Sequence, residues 1–541
     1  MAGLQARGSP APARILESSD VFITFLCLYL LSAGRIAPQA DAIPMWFAAR
    51  ELVHHGSFAI PRPWPINTPA GVGGHYYPVC ALLACLIHVP GALLQTGLEA
   101  LSPGRATALV TITSRIGPVT VGAAVPTMFF RLLVRHGYGR RAAAAATLLL
   151  GAATSVWVYA RLPYSEITQT ACFLAFFAAL VEAERSPTRG SFFRLGLTVG
   201  LLVNSKTIYV VCFPGALAFL IWRLRGRATL RDALPVLWGI LPGALAFALY
   251  NWMRWGSVFT TGYESVTHGF WRESVLVGLW GQLLSPGKSL FLYSPPVLLS
   301  FFGLRAFWQR QRQMAVAVAV TVIPVLLVYS HYAFWSGDWG WGPRYLVFAL
   351  PVLLLPSVEL FTAAPEGAKR RRRALLVGSV FAAGVTVQLL GSAFCWDDFT
   401  IIARTAQRQW LGMPDLRETV MAPDPCFSCF EQMYGIDWLP PFQPIAGNWW
   451  LLRHKLAHDD WRRAEADAPW RRVTSIGLDI SPGYDGAHID WWPMIMANGV
   501  WPAALMCGAL LLVGVPWRAW KAALEGPADQ PAPAVTTTPD T

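Results

Sequence analysis

Charged side chains are scarce in this sequence. Asp, Glu, Lys and Arg make up 14% of the 541 residues, whereas a soluble globular protein carries about 25%. Apolar residues make up 54% of the chain and the mean hydropathy is +0.42. Apolar runs near the ~20 residues that cross a bilayer recur from end to end, and they are too continuous for the alternating strands of a membrane barrel. The composition therefore excludes a soluble enzyme and predicts an all-α polytopic membrane protein.

Several motifs are also missing. There is no G-x-x-x-x-G-K-[S/T] loop, so ATP-driven transport is not indicated. The net charge of +12 is spread over short clusters between apolar runs, without a separate basic domain, so no nucleic-acid partner is expected. The pair Cys426 and Cys429 has no second pair to complete a zinc site, and His454 and His458 read as one face of a helix. In an oxidising compartment one disulfide among Cys395, Cys426 and Cys429 is expected.

The basic clusters also predict the topology, because Arg and Lys concentrate in cytoplasmic loops. The loops that carry basic clusters alternate with polar loops, and so all lie on the cytoplasmic side, if the segment 76–97 does not cross the membrane. Its internal "HVPG" favours a juxtamembrane or re-entrant helix. About twelve spans then result, with both termini inside: 21–37, 106–134, 142–160, 165–181, 193–205, 208–222, 233–250, 289–304, 314–330, 345–361, 374–394 and 494–516. The predicted organisation is a cytoplasmic tail (1–20), a transmembrane catalytic module (21–394) with a long first outer loop (38–105), a small outer cap (395–493), the last span, and a disordered tail (517–541).

The predicted outer loops collect the unusual polar residues. Asp41 opens the helix-like stretch "DAIPMWFAARELVHHG" directly after the first span. It is either a helix cap or a general base at a cleft that faces the membrane. Glu166, in "LPYSEITQT", lies at the mouth of a span, where an ionisable residue is a candidate functional group or the partner of a neighbouring cation.

Lysine is rare, with five Lys against 38 Arg, yet several cations fall at outer span ends. They are either snorkelling side chains or ligands of a lipid phosphate. The candidate phosphate ligands are Arg161, Lys206, Lys288 and Arg344.

The stretch 331–345, "HYAFWSGDWGWGPRY", is a rigid polar and aromatic segment between two apolar runs. Its Trp residues are typical of an interfacial belt, but three glycines and a proline beside Arg344 also suit a pocket for a sugar and a lipid. Asp338, Trp339 and Trp341 are therefore candidate substrate-binding residues.

Taken together, these motifs resemble the GT-C superfamily of polyprenyl-phosphate-dependent glycosyltransferases. The nearest likeness is to bacterial relatives of protein O-mannosyltransferases and aminoarabinose transferases, and it covers roughly residues 20–395. It rests on Asp41 with "ARELVHHG", and on "GGHYYPV", "YSE", "SPGKSLFLYSP" and "W-x-G-DWGWGPRYL". Many relatives carry Lys-Pro-Pro where this chain has His75-Tyr76-Tyr77-Pro78, so another cation would have to hold the phosphate.

The resemblance implies an inverting transfer on the periplasmic side of a bacterial inner membrane. A sugar would leave a polyprenyl phosphate for an acceptor hydroxyl on a glycan, glycolipid or protein, with Asp41 as the general base. The further residues expected to bind substrate are His75, Tyr76, Tyr77, Tyr263 and Tyr293. No cofactor is expected with certainty, and a divalent cation stays open. The alternatives are a flippase for lipid-linked sugars and an enzyme like an O-antigen ligase or polymerase. The sugar and the acceptor are not predicted.

Overall fold

The structure is a computed structural model of the whole chain. It describes residues 15–33, 42–61, 63, 68–101, 110, 113–267, 269–337, 340–362, 367–412, 434–474, 476–490 and 500–525. Five residues of the sequence analysis lie outside these ranges, namely Asp41, Asp338, Trp339, Cys426 and Cys429.

Helices make up the fold, as the sequence predicts. In the described part of the chain, β-structure is limited to isolated bridges such as Ile60 with Tyr76 and Ala70 with Tyr76. Eight helical segments are long and apolar enough to cross a membrane: Leu82–Leu101, Ile116–Arg135, Glu166–Arg185, Thr207–Leu224, Arg231–Trp255, Arg312–His331, Arg344–Thr362 and Gly367–Ala393. Further helices of at least ten residues pack with them: Ser18–Leu31, Arg140–Ala153, Arg189–Ser205, Val275–Leu284, Val297–Arg310 and Val500–Glu525. The all-α membrane fold is thus confirmed.

Helix Glu166–Arg185 lies at the centre of the bundle, and helix Pro235–Trp255 lies at its edge. Nearly every side chain from Glu166 to Leu180 is buried or half-buried, whereas Leu237, Trp238 and Leu245 are among the most exposed apolar side chains of the protein. A helix that exposes apolar side chains all along its length suits a lipid environment.

Small residues set the contact between helices Arg189–Ser205 and Pro235–Trp255. Gly196 and Gly200 of helix Arg189–Ser205 face Gly239 and Gly243 of helix Pro235–Trp255, and a Cβ atom at Gly196 would lie 2.1 Å from Val236 O. Asn204 reinforces the contact, because its Nδ2 donates to Gly200 O and Gly243 O at 2.8 Å each. This is the small-residue packing that joins helices where no hydrophobic force is available.

Two predicted spans are broken helices. The span 142–160 divides into Arg140–Ala153 and Val156–Ala160, and the span 289–304 divides into Leu290–Tyr293 and Val297–Arg310. Pro295 and Pro296 cannot donate backbone hydrogen bonds to the preceding turn. The two breaks meet, since the Ser155 amide donates to Ser294 Oγ at 3.1 Å and Ser155 Oγ donates to Tyr293 O at 3.1 Å.

The segment 76–97 is also interrupted. Helices Leu82–Leu86 and Val89–Leu101 meet at Ile87 and His88, directly before Pro90. The joined segment Leu82–Leu101 is long and apolar enough to span, so whether it crosses the membrane stays a prediction.

Residues after Cys395 build a second hydrophobic core, within the region predicted as a cap. Helices Trp396–Leu411, Pro444–Leu456, Trp461–Ala466 and Ser481–Gly486 surround it. Phe442 stacks on Trp470 at 5.8 Å between centroids, and Trp450 packs edge-on against Trp470 at 5.3 Å. Cys426 and Cys429 lie outside the described residues. Cys395 is a free thiol, and its sulfur lies 3.8 Å from Asp397 Oδ2.

Candidate active site

The glycine-rich stretch before Arg344 wraps tightly around its side chain. A Cβ atom at Gly337 would lie 2.5 Å from Arg344 Cγ, and one at Gly340 would lie 2.9 Å from Arg344 Cδ. Gly342 has φ +64° and packs against the Tyr293 ring, which a Cβ would approach to 2.6 Å. Only glycine allows this close approach, so the three glycines position the arginine.

Arg344 faces Glu166. Arg344 Nε lies 3.5 Å from Glu166 Oε1, and the two side chains are 15% and 5% exposed. Glu166 begins the central helix, where the helix dipole favours a carboxylate. Its other oxygen, Oε2, is buried and accepts no hydrogen bond from the described residues.

Lys206 lies close to this pair, at the end of helix Arg189–Ser205. Its Nζ lies 5.5 Å from the Tyr329 ring centroid and 4.9 Å from that of Tyr345. The two rings stack in parallel, 4.4 Å apart at 2°. The negative charge density on the faces of the two rings stabilises this cation. Glu166, Lys206, Tyr329, Arg344 and Tyr345 are called the tyrosine-lined cluster below.

The floor of this region is made by Lys288, Tyr293 and Trp341. Lys288 is buried and its Nζ donates to Gly340 O at 2.8 Å, so the lysine holds the glycine-rich stretch. Tyr293 and Trp341 meet edge to face at 5.0 Å. The Tyr293 hydroxyl and Trp341 Nε1 are buried without a hydrogen-bond partner among the described residues, as expected where a polar ligand binds.

The cap reaches the same region. Trp396 stacks on Tyr164 with ring centroids 5.0 Å apart and lies 5.0 Å from Tyr159. The Tyr159 hydroxyl donates to Trp341 O at 3.1 Å. Trp396 therefore connects the cap with the loop that carries Glu166 and with the stretch that carries Arg344.

Arg161 has different surroundings. It is fully buried, Nη1 donates to Ser32 O at 2.9 Å, and Nη2 donates to Gly391 O at 3.3 Å. Nη1 also lies 3.6 Å from Asp490 Oδ2 in the cap, with side-chain exposures of 0% and 1%. Arg115, also buried, donates from Nη1 to Arg161 O at 2.8 Å. Arg115, Arg161 and Asp490 are called the arginine cluster below.

The predicted residues of the first outer loop lie together near the end of helix Pro235–Trp255. His75 is exposed and Tyr76 is half-buried. Tyr77 is buried against Trp255, with ring centroids 5.8 Å apart. Arg254 fastens the segment, because its Nη1 donates to Pro78 O at 2.8 Å. Tyr263 is half-buried and begins the short helix Tyr263–Thr267.

The sequence analysis missed Tyr159, Tyr329, Tyr345, Trp396 and Asp490. Tyr345 directly follows Arg344 in the sequence, and this adjacency is the signal that points to their contact, 5.2 Å from the guanidinium to the ring centroid. Tyr329 ends a long apolar run, where an interfacial aromatic is the ordinary interpretation. Asp490 carried no signal, because nothing in its local sequence points to a partner more than 300 residues earlier.

A metal site does not emerge from the described residues, which contain no group of three or more His, Cys, Asp or Glu side chains able to hold an ion.

Residues 111–252 match the family model described as dolichyl-phosphate-mannose-protein mannosyltransferase. The matched stretch contains Arg161, Glu166 and Lys206. Over these residues the chain is similar to a family of glycosyltransferases. The match favours this enzyme class over a flippase or a ligase-like enzyme, the alternatives from the sequence.

Among solved structures, two membrane enzymes match this chain at low identity. One is ArnT from Cupriavidus metallidurans bound to undecaprenyl phosphate, at 13% identity and a TM-score of 0.46, over 92% of this chain and 76% of that one. The other is the oligosaccharyltransferase of Archaeoglobus fulgidus in the apo form, at 12% identity and a TM-score of 0.46, over 82% of this chain and 64% of that one. No curated protein sequence matches the chain.

Proposed function

We propose that this glycosyltransferase moves a sugar from a polyprenyl phosphate to an acceptor hydroxyl, with inversion, at the outer face of a bacterial inner membrane. Asp41 takes the proton of the attacking hydroxyl. Arg344 and Lys206 hold the phosphate as negative charge develops on the leaving group. The acceptor is a glycan, a glycolipid or a protein.

The tyrosine-lined cluster carries this proposal. It brings two cations from distant parts of the sequence to one buried carboxylate, among aromatic rings, at the ends of membrane helices. An anionic head group needs the cations, and a sugar suits the rings and the unpartnered hydroxyl of Tyr293. The name of the matching family, which includes a dolichyl-phosphate-linked sugar, supports the same donor class.

The outward orientation is supported by helix Gly367–Ala393. Its 27 residues extend about 40 Å at 1.5 Å per residue. Lys369 and Arg370 to Arg372 are exposed at its first turns, and the cap follows its other end. A basic run of this kind belongs on the cytoplasmic side, so the cap and the adjoining cluster face outward.

Lys288 and Arg161 receive positioning roles in this proposal rather than phosphate contacts. Lys288 holds Gly340, and the donors of Arg161 are directed at protein carbonyls and Asp490. Glu166, Tyr293 and Trp341 contact the sugar, together with Asp338 and Trp339 of the same stretch. His75, Tyr76, Tyr77 and Tyr263 line the approach from the first outer loop. A divalent cation stays open.

Asp41→Asn tests the reaction chemistry. Asparagine caps a helix nearly as well as aspartate but cannot accept the proton, so turnover should fall by at least ~100-fold while polyprenyl phosphate still binds. Sugar transfer is first measured in a deletion strain that is complemented with each variant, by mass spectrometry of its envelope glycans. Once these glycans identify the sugar donor, transfer rates are measured with the purified enzyme and that donor.

The matched control is Glu51→Gln. Glu51 is a half-buried carboxylate of the adjoining helix Ala42–His55, 3.7 Å from His55, and its loss should leave transfer within about twofold. Near-normal transfer by Asp41→Asn would refute the proposed base.

A further inference from the structure

Two buried cysteines of the first outer loop lie against each other. The sulfur atoms of Cys80 and Cys85 are 3.0 Å apart, and both side chains are buried. The Tyr250 hydroxyl lies 3.8 Å from the sulfur of Cys80 and 3.5 Å from that of Cys85. The two thiols share one small space at the end of helix Pro235–Trp255.

The other described cysteines have different neighbours. Cys212 donates to Tyr209 O at 3.0 Å, and Cys395 lies beside Asp397. Among the cysteines that the structure describes, Cys80 and Cys85 are the pair whose sulfurs meet.

The backbone around the pair is held from outside. Arg254 Nη1 donates to Pro78 O at 2.8 Å and to Cys80 O at 3.3 Å, and the Tyr250 hydroxyl donates to Cys80 O at 3.3 Å. Arg254 in turn lies over the Tyr250 ring, 3.6 Å from its centroid. Cys80 is thus fixed at the turn before helix Leu82–Leu86, which carries Cys85, so closing a bond between them requires little backbone movement.

We propose that Cys80 and Cys85 form a disulfide in the mature protein. The first outer loop faces the oxidising side of the membrane in the orientation proposed above, and disulfides persist there. Closure removes two protons and two electrons from the thiols. The electrons pass by thiol–disulfide exchange to the disulfide of an extracytoplasmic thiol oxidoreductase, which leaves as a dithiol.

The disulfide would fix the segment that carries His75, Tyr76 and Tyr77. This segment has no helix of its own, and Tyr76 joins it to Ile60 and Ala70 through isolated bridges. A covalent link to helix Leu82–Leu86 keeps the tyrosines of this segment in position against Trp255. This positioning effect goes beyond the proposed function and rests on only one part of it, the outward orientation of the first outer loop.

The test is thiol labelling of the full-length protein in native membranes. The sample is quenched with acid, denatured and treated with a maleimide before and after dithiothreitol, and peptides are quantified by mass spectrometry. Cys80 and Cys85 should be labelled only after reduction and should appear as one cross-linked species, whereas Cys172 and Cys212 should be labelled in both samples. Full labelling of Cys80 and Cys85 without reduction, or a cross-link from either to another cysteine, would overturn the proposal.

Single serine variants provide a second measurement. Cys85→Ser should make Cys80 reactive without reduction, and Cys80→Ser should do the same for Cys85. Reduction should lower the melting temperature of the wild-type protein by more than that of the doubly substituted protein. An equal response of both proteins to reduction would count against the disulfide. If Cys80 and Cys85 are free thiols while sugar transfer still depends on Asp41, only the disulfide proposal is refuted. If the disulfide forms while transfer does not depend on Asp41, only the catalytic proposal is refuted.

Discussion

The chain buries positive charge in two regions that differ in what the cations contact. In the arginine cluster, Arg161 is 0% exposed and its donors contact two backbone carbonyls and Asp490. In the tyrosine-lined cluster, Arg344 is 15% exposed beside one carboxylate, and Lys206 lies over two rings.

This difference in contacts indicates a structural role for the arginine cluster and a substrate-binding role for the tyrosine-lined cluster. A buried cation whose terminal Nη donors contact backbone carbonyls and a buried carboxylate stabilises the fold and has less attraction left for a new anion. A cation that lies among rings and glycines beside a carboxylate is placed to attract a further negative group. From the sequence, both arginines are candidate phosphate ligands. Three substitutions test the contrast between their contacts.

Arg161→Ala should have the largest effect, and the effect should be on stability. It removes a buried cation that lies 3.6 Å from the buried Asp490, and breaking a buried ion pair typically costs about 3–5 kcal/mol. The free energy of unfolding should fall accordingly, as measured by thermal melting of the detergent-solubilised protein. Arg225→Ala is the control, since Arg225 is exposed on a turn and its loss should leave melting unchanged. An Arg161→Ala protein that melts normally but no longer binds polyprenyl phosphate would make Arg161 a phosphate ligand and end the contrast.

Arg344→Gln should show the opposite pattern. Glutamine fills part of the space between Gly337 and Gly340 but has no charge, and a hydrogen bond to a charged group is worth about 1.5–3 kcal/mol. Affinity for polyprenyl phosphate, measured by quenching of tryptophan fluorescence, should fall by about 10-fold to 100-fold, and the melting temperature should fall less than in Arg161→Ala because Arg344 is 15% exposed. Unchanged affinity would exclude Arg344 from the phosphate site.

Lys206→Met should have the smallest effect. Methionine keeps the apolar stem between Tyr329 and Tyr345 but removes the charge, and a cation held by rings contributes about 0.5–2 kcal/mol. The same fluorescence assay should give an affinity reduced by about threefold to tenfold, and Lys206→Arg should restore most of it. A loss that Lys206→Arg does not restore would show that packing, rather than charge, matters at this position.

Much of the fold could be predicted from the sequence, because apolar length and the spacing of basic clusters are local properties. The continuous helices Ile116–Arg135 and Gly367–Ala393 correspond to predicted spans for this reason. The break between Ala153 and Val156 could not be predicted in the same way. It depends on the contact of Ser155 with Ser294, 139 residues later, which hydropathy does not register.

The residues of the candidate site also divide into those that local sequence reveals and those that only the folded chain reveals. Glu166, Lys206 and Arg344 were found because ionisable residues at span ends are rare and conspicuous. Arg161 shared that property, and what separates it from the others is Asp490 in the cap, a pairing that only the folded chain reveals. Cys80 and Cys85 were not singled out either, since their spacing matches no cysteine motif.

The partnership of Arg161 with Asp490 also has a consequence for biosynthesis. Asp490 follows Arg161 by 329 residues, which takes roughly 20–60 s at about 5–20 residues per second. During that interval Arg115 and Arg161 are already in the chain while their acidic partner has not yet been made. The newly inserted bundle must therefore wait with this interface open to water or to the translocation machinery, and it closes only when the end of the cap emerges.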